Sequence, residues 1–254
     1  MGLDTDTRRL PEIFSPDLKG LVEFNAAIID ATKDHCVAYK VNTAFYERYG
    51  AKGWEALEQT RALLPPTHFL IADAKRGDIG NTAHQYALAF FDHLDFDAVT
   101  VAPYMGRDSV EPFLEFEDKW TILLSITSNP GSADFQRIID KDGVQVFERV
   151  TQKATYWAGP DKLMFVCGAT QTSFLKTVRK AAPKYFFLVP GVGAQGGSLA
   201  AVCQLCMTRN IGILVNSSRG IIYASSGPDF QSAAAARAKE LQGEMDFLMG
   251  GIPQ

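Results

Sequence analysis

Short apolar stretches, each followed by a longer stretch of mixed polarity, recur along the whole chain. Apolar runs of this length between loop-type residues are typical of buried strands. Seven of them are rich in Val, Ile, Phe and Leu, namely Val37–Val41, Phe69–Ala72, Ala98–Val101, Thr121–Ile126, Leu163–Val166, Tyr185–Val189 and Ile211–Val215. The fragment Gly2–Asp4 resembles the end of one more strand, so we predict eight strands in total.

The segments between the apolar runs have helical periodicity, with charged residues along one side. The clearest examples are Leu18–Lys33, Gly53–Leu64, Asn81–Leu94, Val144–Trp157 and Gly197–Thr208. Strands that alternate with helices of about 10–15 residues indicate βαβ units and a parallel sheet. Eight such units in 254 residues predict an α/β fold, the (β/α)8 TIM barrel. The alternative is a doubly wound open sheet, but that fold usually carries a Gly-rich fingerprint after its first strand, which this chain lacks.

No linker, low-complexity segment or sharp change of composition divides the chain, so we expect a single domain over residues 1–254. A net charge of −4 argues against a surface for nucleic acid or anionic membranes, which requires a basic excess. No apolar stretch reaches the roughly 18–20 residues that span a bilayer, and the first residues do not resemble a signal peptide. We therefore predict a cytoplasmic protein without nucleic-acid or membrane partners.

Two of the four cysteines, Cys203 and Cys206, form a Cys-x-x-Cys pair that is compatible with a redox pair or half of a zinc site. There is no second close pair, and none of the four histidines has a ligand-like spacing to this one. Residues 200–207 also look helical and apolar, and cysteines in such places behave as small hydrophobic residues. We therefore predict neither a metal site nor a redox centre.

The most unusual stretch is 69–82, where an apolar run leads directly into four charged residues. Asp73 and Lys75 are two positions apart, so their side chains share one face of a regular strand. Asp78 follows across a Gly turn. One interpretation is a structural ion pair at a strand end, with Asp78 as the N-cap of a helix that begins at Ile79. The other interpretation is a functional charge cluster.

In a (β/α)8 barrel, the active site lies at the C-terminal ends of the strands. Polar residues at the predicted strand ends are Asp4, Lys40, Asn42, Asp73, Lys75, Thr127, Ser128, Gln195 and Asn216–Arg219. The barrel needs few of these residues for folding, yet all would converge on one mouth. This convergence favours the functional interpretation, although a solvated strand end is the alternative for Lys40.

Two Gly-containing loops, Pro190–Gly197 and Asn216–Ile221, follow the seventh and eighth predicted strands. In this fold these loops commonly bind a phosphate group, helped by a helix N-terminus. Gln195 can donate from its amide, and Arg219 offers a planar guanidinium that fits phosphate oxygens. Ordinary tight turns are the alternative, but two such loops at the two expected strands predict a phosphate site.

The run Asp73–Thr82, which reads Asp-Ala-Lys-Arg-Gly-Asp-Ile-Gly-Asn-Thr, resembles the signature of the orotidine 5′-phosphate decarboxylase family. The segments around Lys40, Ser128–Gly131, Pro190–Gln195 and Arg219 are similar to the other motifs of that family, in the same order. The long form of the signature resembles the type 2 subgroup. The resemblance covers nearly the whole chain, and the combination of motifs is specific although no single motif is.

The resemblance implies a (β/α)8 homodimer that converts orotidine 5′-phosphate to UMP and CO₂, the last step of de novo UMP synthesis, without a metal or an organic cofactor. Lys40, Asp73 and Lys75 would form an alternating charge array in which Lys75 protonates C6 of the pyrimidine. Asp78 of the neighbouring subunit would complete that array.

The resemblance also implies the substrate-binding residues. Ile79 and Thr82 would lie beside Asp78 and reach the neighbouring subunit's site with it. Asp4 and Asn42 would contact the ribose or its neighbouring charges. Ser128 would contact the pyrimidine, and Gln195 and Arg219 would bind the phosphate. The family normally has several residues before the Gly-Leu-Asp of its first strand, whereas only Met1 precedes it here. We therefore expect either a start further upstream or a first strand that is truncated at the N-terminus.

Two other functions stay open at this point. One is a related Mg²⁺-dependent sugar-phosphate barrel, such as keto-gulonate phosphate decarboxylase or hexulose phosphate synthase, which has a similar Asp-x-Lys-x-x-Asp pattern. The other is a non-catalytic barrel that binds a nucleotide phosphate. The Arg-Gly between Lys75 and Asp78, together with the Ser-Asn-Pro-Gly segment, favours the nucleotide enzyme over the sugar-phosphate enzymes.

Overall fold

The computed structural model describes residues 1–169, 172–192 and 197–251. Eight parallel strands follow one another in sequence order within one sheet. They are β1 Gly2–Leu3, β2 Ala38–Asn42, β3 Phe69–Arg76, β4 Ala98–Val101, β5 Trp120–Ile126, β6 Leu163–Cys167, β7 Phe186–Pro190 and β8 Ile213–Asn216. A doubly wound sheet would reverse its strand order at a switch point, and this sheet does not. The fold belongs to the (β/α)8 TIM-barrel class, as the alternation of the sequence predicts.

Helices occupy the connections between the strands. They are α1 Leu18–Thr32, α2 Ala44–Glu47, α3 Ala51–Leu63, α4 Gly80–Ala87, α5 Glu111–Leu114, α6 Val146–Ala154, α7 Thr172–Ala181, α8 Leu199–Cys206, α9 Arg219–Ile222 and α10 Phe230–Gly250. A wider helical turn over Leu88–His93 extends α4, so the predicted helix over 81–94 is one continuous segment with two geometries. Within the described residues, no helix is both long enough and apolar enough to cross a membrane.

Two strand boundaries differ from the prediction in an informative way. β1 comprises only Gly2 and Leu3, so Asp4 of the predicted fragment lies beyond the strand, and β1 pairs with β2 through Leu3 and Val41. β8 begins at Ile213 rather than at Ile211, because Ile211 has a left-handed φ of 66°. The backbone N–H and carbonyl groups of Thr208 and Ile211 hydrogen-bond to each other, which closes a turn where the sequence suggested a strand.

The chain forms two compact units, and each has its own aromatic core. The first unit comprises residues 1–74 and 217–247. In its core the fully buried Phe24 packs edge-on against Phe14 at 5.7 Å and lies parallel to Tyr223 at 5.9 Å. Burial of one such ring contributes about 1.5–3 kcal/mol. The expectation of a single domain stays a prediction.

The second unit comprises residues 75–216 and the residues from 248 onward. Phe165 on β6 is fully buried and contacts the rings of Tyr185 and Phe187, with centroid distances of 5.5 and 6.4 Å. Strands of parallel sheets are buried on both faces, which explains why these segments read as continuous apolar runs in the sequence.

Helix α1 carries a polar residue on its buried face. The helix begins after Asp17, whose carboxylate accepts a hydrogen bond from Gly20 N at 2.9 Å and so caps the first turn. Its buried positions include Leu21, Phe24, Asn25 and Ile28, spaced as one face of a helix requires. Asn25 is fully buried among these apolar neighbours.

Candidate active site

Lys40 lies near the C-terminal end of β2, and only 5 % of the residue is exposed. Its Nζ donates a hydrogen bond to Oδ2 of Asp73 at 2.7 Å and lies 3.6 Å from Oδ1 of Asp4. The parallel pairing of β2 with its neighbours brings these three side chains together, since Asp4 directly follows β1 and Asp73 lies on β3. The structure thus brings together three residues that the sequence analysis named as candidates.

A buried ammonium group is costly unless carboxylates and hydrogen bonds compensate for its lost hydration. Burial alone would lower the pKa of Lys40, but the charges of Asp73 and Asp4, together with the hydrogen bond to Asp73, outweigh burial and raise it. Lys40 therefore carries a fixed positive charge at neutral pH. Two carboxylates thus face one ammonium within this group of three residues.

Asn42 ends β2 directly beside this cluster, in register with Asp73 on β3. Its Oδ1 accepts a hydrogen bond from Ala44 N at 3.2 Å, and Thr43 N donates to the Asp73 carbonyl at 3.4 Å. These contacts hold the turn from β2 into the short helix α2. The amide nitrogen of Asn42 belongs to a side chain of intermediate exposure, so it can reach a bound molecule.

Lys75 is exposed and lies near the end of β3, with a left-handed φ of 48°. A non-glycine residue in this region costs about 1–3 kcal/mol and persists only where its surroundings hold it. One contact that holds it involves the backbone: Lys75 N donates to Oγ1 of the fully buried Thr100 at 2.9 Å. The expectation that Asp73 and Lys75 share a strand face assumed extended backbone at both residues, and Lys75 departs from that geometry.

Asp78 is not the N-cap of a helix that begins at Ile79, as one interpretation of the sequence held. The helix α4 begins at Gly80, which has a left-handed φ of 53°, and Ile79 occupies the N-cap position. Asp78 Oδ1 instead accepts a hydrogen bond from Ile79 N at 2.8 Å. Ile79 is 51 % exposed, and Thr82 on the first turn of α4 is exposed as well.

Ser128 follows β5 and packs against the residue after β6. A Cβ atom added to Gly168 would lie 2.8 Å from Ser128 N and 3.0 Å from Ser128 Cβ, so only glycine fits there. Next to it, Thr127 N donates to Oε1 of Gln136 at 2.9 Å, which ties the end of β5 to the following segment. Ser128 is therefore held at a strand end, with its side chain of intermediate exposure.

Of the two predicted phosphate-binding residues, Gln195 lies outside the described residues, and Arg219 is the exposed first residue of α9. The loop that contains Gln195 is closed at its base, where Gly197 N donates to the Gly191 carbonyl at 3.2 Å. A Cβ atom on Gly197 would lie 2.6 Å from Ala169 Cβ and 2.8 Å from that carbonyl. Gly191 itself has a left-handed φ of 93°. Glycine is therefore required at both ends of the loop.

The Cys-x-x-Cys pair lies on α8, and both cysteines are buried. Burial raises the pKa of Cys206 to about 11, so its sulfur is a protonated thiol at neutral pH. Thiolates, not thiols, are the metal ligands and nucleophiles of proteins. Across the described ranges, no group of three or more His, Cys, Asp or Glu residues is arranged to hold a metal ion.

Sequence reasoning missed two polar groups near these residues. Thr100, which accepts the hydrogen bond from Lys75 N, interrupts the apolar run of β4 at its third position. Asn25 interrupts the apolar face of α1 in the same way. In both cases the available signal was a polar residue at a position where the pattern requires an apolar one.

Comparison with known proteins identifies the family to which this arrangement belongs. The chain is 53 % identical over 248 residues to orotidine 5′-phosphate decarboxylase of Bacteroides fragilis, an alignment that covers 96 % of this chain and 90 % of that protein. It is 54 % identical to the enzyme of the same name from Parabacteroides distasonis, with coverage of 96 % and 89 %.

A solved structure of Leishmania donovani OMP decarboxylase superposes with a TM-score of 0.86 at 36 % sequence identity, covering 99 % of this chain and 93 % of that one. The model of the family described as orotidine 5′-phosphate decarboxylase / HUMPS matches residues 1–236. With a matched family model and relatives above half identity, this chain is a member of the orotidine 5′-phosphate decarboxylase / HUMPS family.

Proposed function

We propose that this protein is a carboxy-lyase that converts orotidine 5′-phosphate to UMP and CO₂, the last step of de novo UMP synthesis. The observation that carries the proposal is the buried ammonium of Lys40, hydrogen-bonded to Asp73 and close to Asp4, in a chain of this family. Such a cluster is expensive to bury for stability alone, which favours a catalytic use.

The chemistry requires an electrostatic catalyst. Loss of CO₂ from C6 of the pyrimidine leaves a carbanion that no adjacent carbonyl can delocalise directly. A preorganised cation at that position lowers the barrier, because charge develops there only in the transition state. We assign this cation to Lys75, which would then donate its proton to C6.

Asp73 would lie close to the substrate carboxylate. Two like charges about 4 Å apart repel by roughly 4 kcal/mol at an effective dielectric constant of about 20. This repulsion disappears when CO₂ leaves, whereas the attraction between Lys75 and the carbanion persists. Because Lys40 already holds Asp73 by a hydrogen bond of 2.7 Å, the carboxylate cannot turn away from the substrate without breaking a buried ion pair.

The remaining assignments concern binding. Asp4 and Asn42 would contact the ribose, and Ser128 the pyrimidine, while Gln195 and Arg219 would bind the phosphate. An Arg side chain can form two parallel hydrogen bonds to phosphate oxygens. Binding energy from this remote phosphate can organise the reacting end of the substrate.

We further propose that the active form is a homodimer in which Asp78 completes the charge array of the neighbouring subunit, with Ile79 and Thr82 beside it. The exposure of Ile79 supports this assignment, since a large apolar side chain that is 51 % exposed gains stability when a partner covers it. Reaction in the cytoplasm without a metal or an organic cofactor is part of the same proposal.

A turnover assay tests the reaction. Purified protein should release CO₂ from orotidine 5′-phosphate and form UMP at the same rate with and without EDTA. Loss of turnover with EDTA would favour a Mg²⁺-dependent sugar-phosphate enzyme instead. Lys75→Ala should abolish turnover, whereas Lys176→Ala, which removes an exposed lysine of α7, should not change it. Undiminished turnover in Lys75→Ala would refute the role of that amine.

A mixing experiment tests the shared site. Lys75→Ala and Asp78→Ala should each be inactive alone. When the two variants exchange subunits, half of the dimers are mixed, and each mixed dimer contains one intact site, so about a quarter of the sites should become active. A mixture that stays inactive after proven subunit exchange would contradict the assignment of Asp78 to the partner's site.

A further inference from the structure

A polar network lies inside the first unit, directly behind the lysine–carboxylate cluster. Asn25 of α1 is its centre and uses both ends of its amide. Its Oδ1 accepts a hydrogen bond from the Thr5 hydroxyl at 2.6 Å, and its Nδ2 donates to the Tyr46 hydroxyl at 2.8 Å and to Thr60 Oγ1 at 3.4 Å. Tyr46 in turn donates to Thr60 at 3.1 Å. None of these four residues has measurable exposure.

Four segments of the chain meet in this network: the connection after β1, and the helices α1, α2 and α3. Hydrophobic side chains of similar volume would fill the same space without the cost of desolvating four polar groups. A fully satisfied buried network is rigid and directional, so it can fix the relative positions of the segments that contribute to it. The parts of the site that the network holds in place are identified by the residues next to Thr5 and Tyr46 in the chain.

Thr5 directly follows Asp4 in the chain, so the position of Thr5 constrains that of Asp4. β1 ends at Leu3, so Asp4 lies beyond the strand ladder. Its Oδ1 is buried and has no hydrogen-bond partner among the described residues, since the 3.6 Å to Lys40 Nζ exceeds a hydrogen bond. The hydrogen bond from Thr5 to Asn25 therefore anchors the chain one residue after Asp4, where the strand ladder no longer holds it.

Tyr46 provides the corresponding anchor for the connection after β2. It lies on α2, four residues after Asn42, and its backbone N donates to the Thr43 carbonyl at 2.9 Å. Burial raises the pKa of the Tyr46 hydroxyl, and the carboxylate of Asp4 raises it further, which reflects the proximity of the two groups. The network thus joins the two connections that carry Asp4 and Asn42.

We propose that Asn25 and Tyr46 are positioning residues, which set the distance between the Asp4 carboxylate and Lys40 by holding Thr5 and α2. They do not touch the substrate. The proposal rests on the proposed function, because it assigns to Asp4 a contact with the ribose of the nucleotide. It goes beyond that function by extending the site to a second layer of side chains on α1, α2 and α3.

Tyr46→Phe is the main test, and Tyr39→Phe is its matched control. Tyr39 is equally buried, with its hydroxyl 2.9 Å from Thr32 Oγ1 and donating to the Ile29 carbonyl at 3.2 Å. It directly precedes Lys40 on β2, so its side chain points to the opposite face of the strand. The two substitutions remove the same atom from the same kind of environment, but only Tyr46 belongs to the network.

We expect Tyr46→Phe to lower kcat/KM for orotidine 5′-phosphate about tenfold, the effect of one hydrogen bond of typical net strength, and Tyr39→Phe to leave it unchanged. Thr5→Val should behave like Tyr46→Phe, which provides a second variant if either one unfolds. In a crystal structure of Tyr46→Phe, the Asp4 Oδ1 to Lys40 Nζ distance should exceed the 3.6 Å of the parent.

A double-mutant cycle with Asp4→Asn decides whether Tyr46 acts through Asp4. In the Asp4→Asn background, Tyr46→Phe should have no further effect on kcat/KM, because the group that it positions is already gone. Equal effects of Tyr46→Phe and Tyr39→Phe, additivity in the cycle, or an Asp4→Asn variant with full activity would each overturn the proposal. A parent protein without turnover would instead refute the proposed function, and the crystallographic distance would still report on the network.

Discussion

The ammonium of Lys40 lies 2.7 Å from the carboxylate of Asp73, and no more than a tenth of either side chain is exposed. The chain also contains an exposed pair with the same separation, Lys33 and Asp30, in which 43 % and 70 % of the side chains are exposed. The two pairs have the same nitrogen–oxygen distance but differ in burial, so a comparison between them isolates the effect of solvent on an ion pair.

Lys40→Met should lower the free energy of unfolding by about 3–5 kcal/mol, because it removes the buried ammonium that pairs with the carboxylate of Asp73 and lies close to that of Asp4. Lys33→Met should change the free energy of unfolding far less, since water screens the exposed pair. Urea denaturation of both variants measures the difference. The double variant Lys40→Met with Asp73→Asn should recover part of the lost stability but no activity, and a Lys40→Met protein as stable as the parent would contradict the prediction.

The Lys40 pair also predicts how stability depends on alkaline pH. The folded pKa of Lys40 is raised above its ordinary value of 10.5. Its contribution to stability is therefore complete below pH 10.5 and is lost as the pH rises through the folded pKa. The unfolding free energy of the parent should fall in this window more steeply than that of Lys40→Met. Parallel pH profiles of the two proteins above pH 10.5 would show that the pKa is not raised.

Thr100 should matter for turnover through the backbone of Lys75. Thr100→Val removes the oxygen that accepts the hydrogen bond from Lys75 N, and we expect kcat to fall about tenfold with little change in KM. Thr121 is the matched control, because it is equally buried and its Oγ1 has no hydrogen-bond partner in the described part of the chain. Steady-state kinetics should show no effect of Thr121→Val, and equal effects of both substitutions would argue against a specific role.

The base of the loop over residues 193–196 should tolerate no side chain. Gly197→Ala places a Cβ atom 2.6 Å from Ala169 Cβ, so the backbone at Gly197 or Ala169 must shift, and we expect KM for orotidine 5′-phosphate to rise at least about tenfold. Gly243→Ala, which meets nothing within 4 Å on α10, should instead stabilise the protein by up to about 1 kcal/mol. Kinetics and thermal unfolding of the pair separate the two effects. An unchanged KM in Gly197→Ala would mean that the loop base does not control binding.

Much of the architecture could be predicted from the chain because its signals are periodic. Continuous apolar runs and intervening amphipathic segments reflect burial on both sheet faces, and they predict the strands within a few residues. The meeting of Lys40 with Asp73 follows from the same logic, since the ends of neighbouring parallel strands lie at one edge of the sheet.

The details that could not be predicted depend on single backbone angles and on contacts distant in sequence. α4 begins at Gly80 rather than at Ile79 because the backbone of Ile79 is extended, which no periodic pattern encodes. The partners of Asn25 come from three other segments, up to 35 residues away along the chain. A polar residue on an apolar helix face signals that partners exist but does not identify them.

The left-handed backbone of Lys75 has a consequence for protein engineering. Substitutions that relieve strained backbone are among the standard routes to thermostable variants, and glycine adopts this φ without penalty. At this position the relief would remove the amine to which we assign protonation of the C6 carbanion. Selection for heat resistance alone should therefore favour a different residue at position 75 than selection for growth without uracil. The residue found at this position would show whether a library of variants was screened for folding or for catalysis.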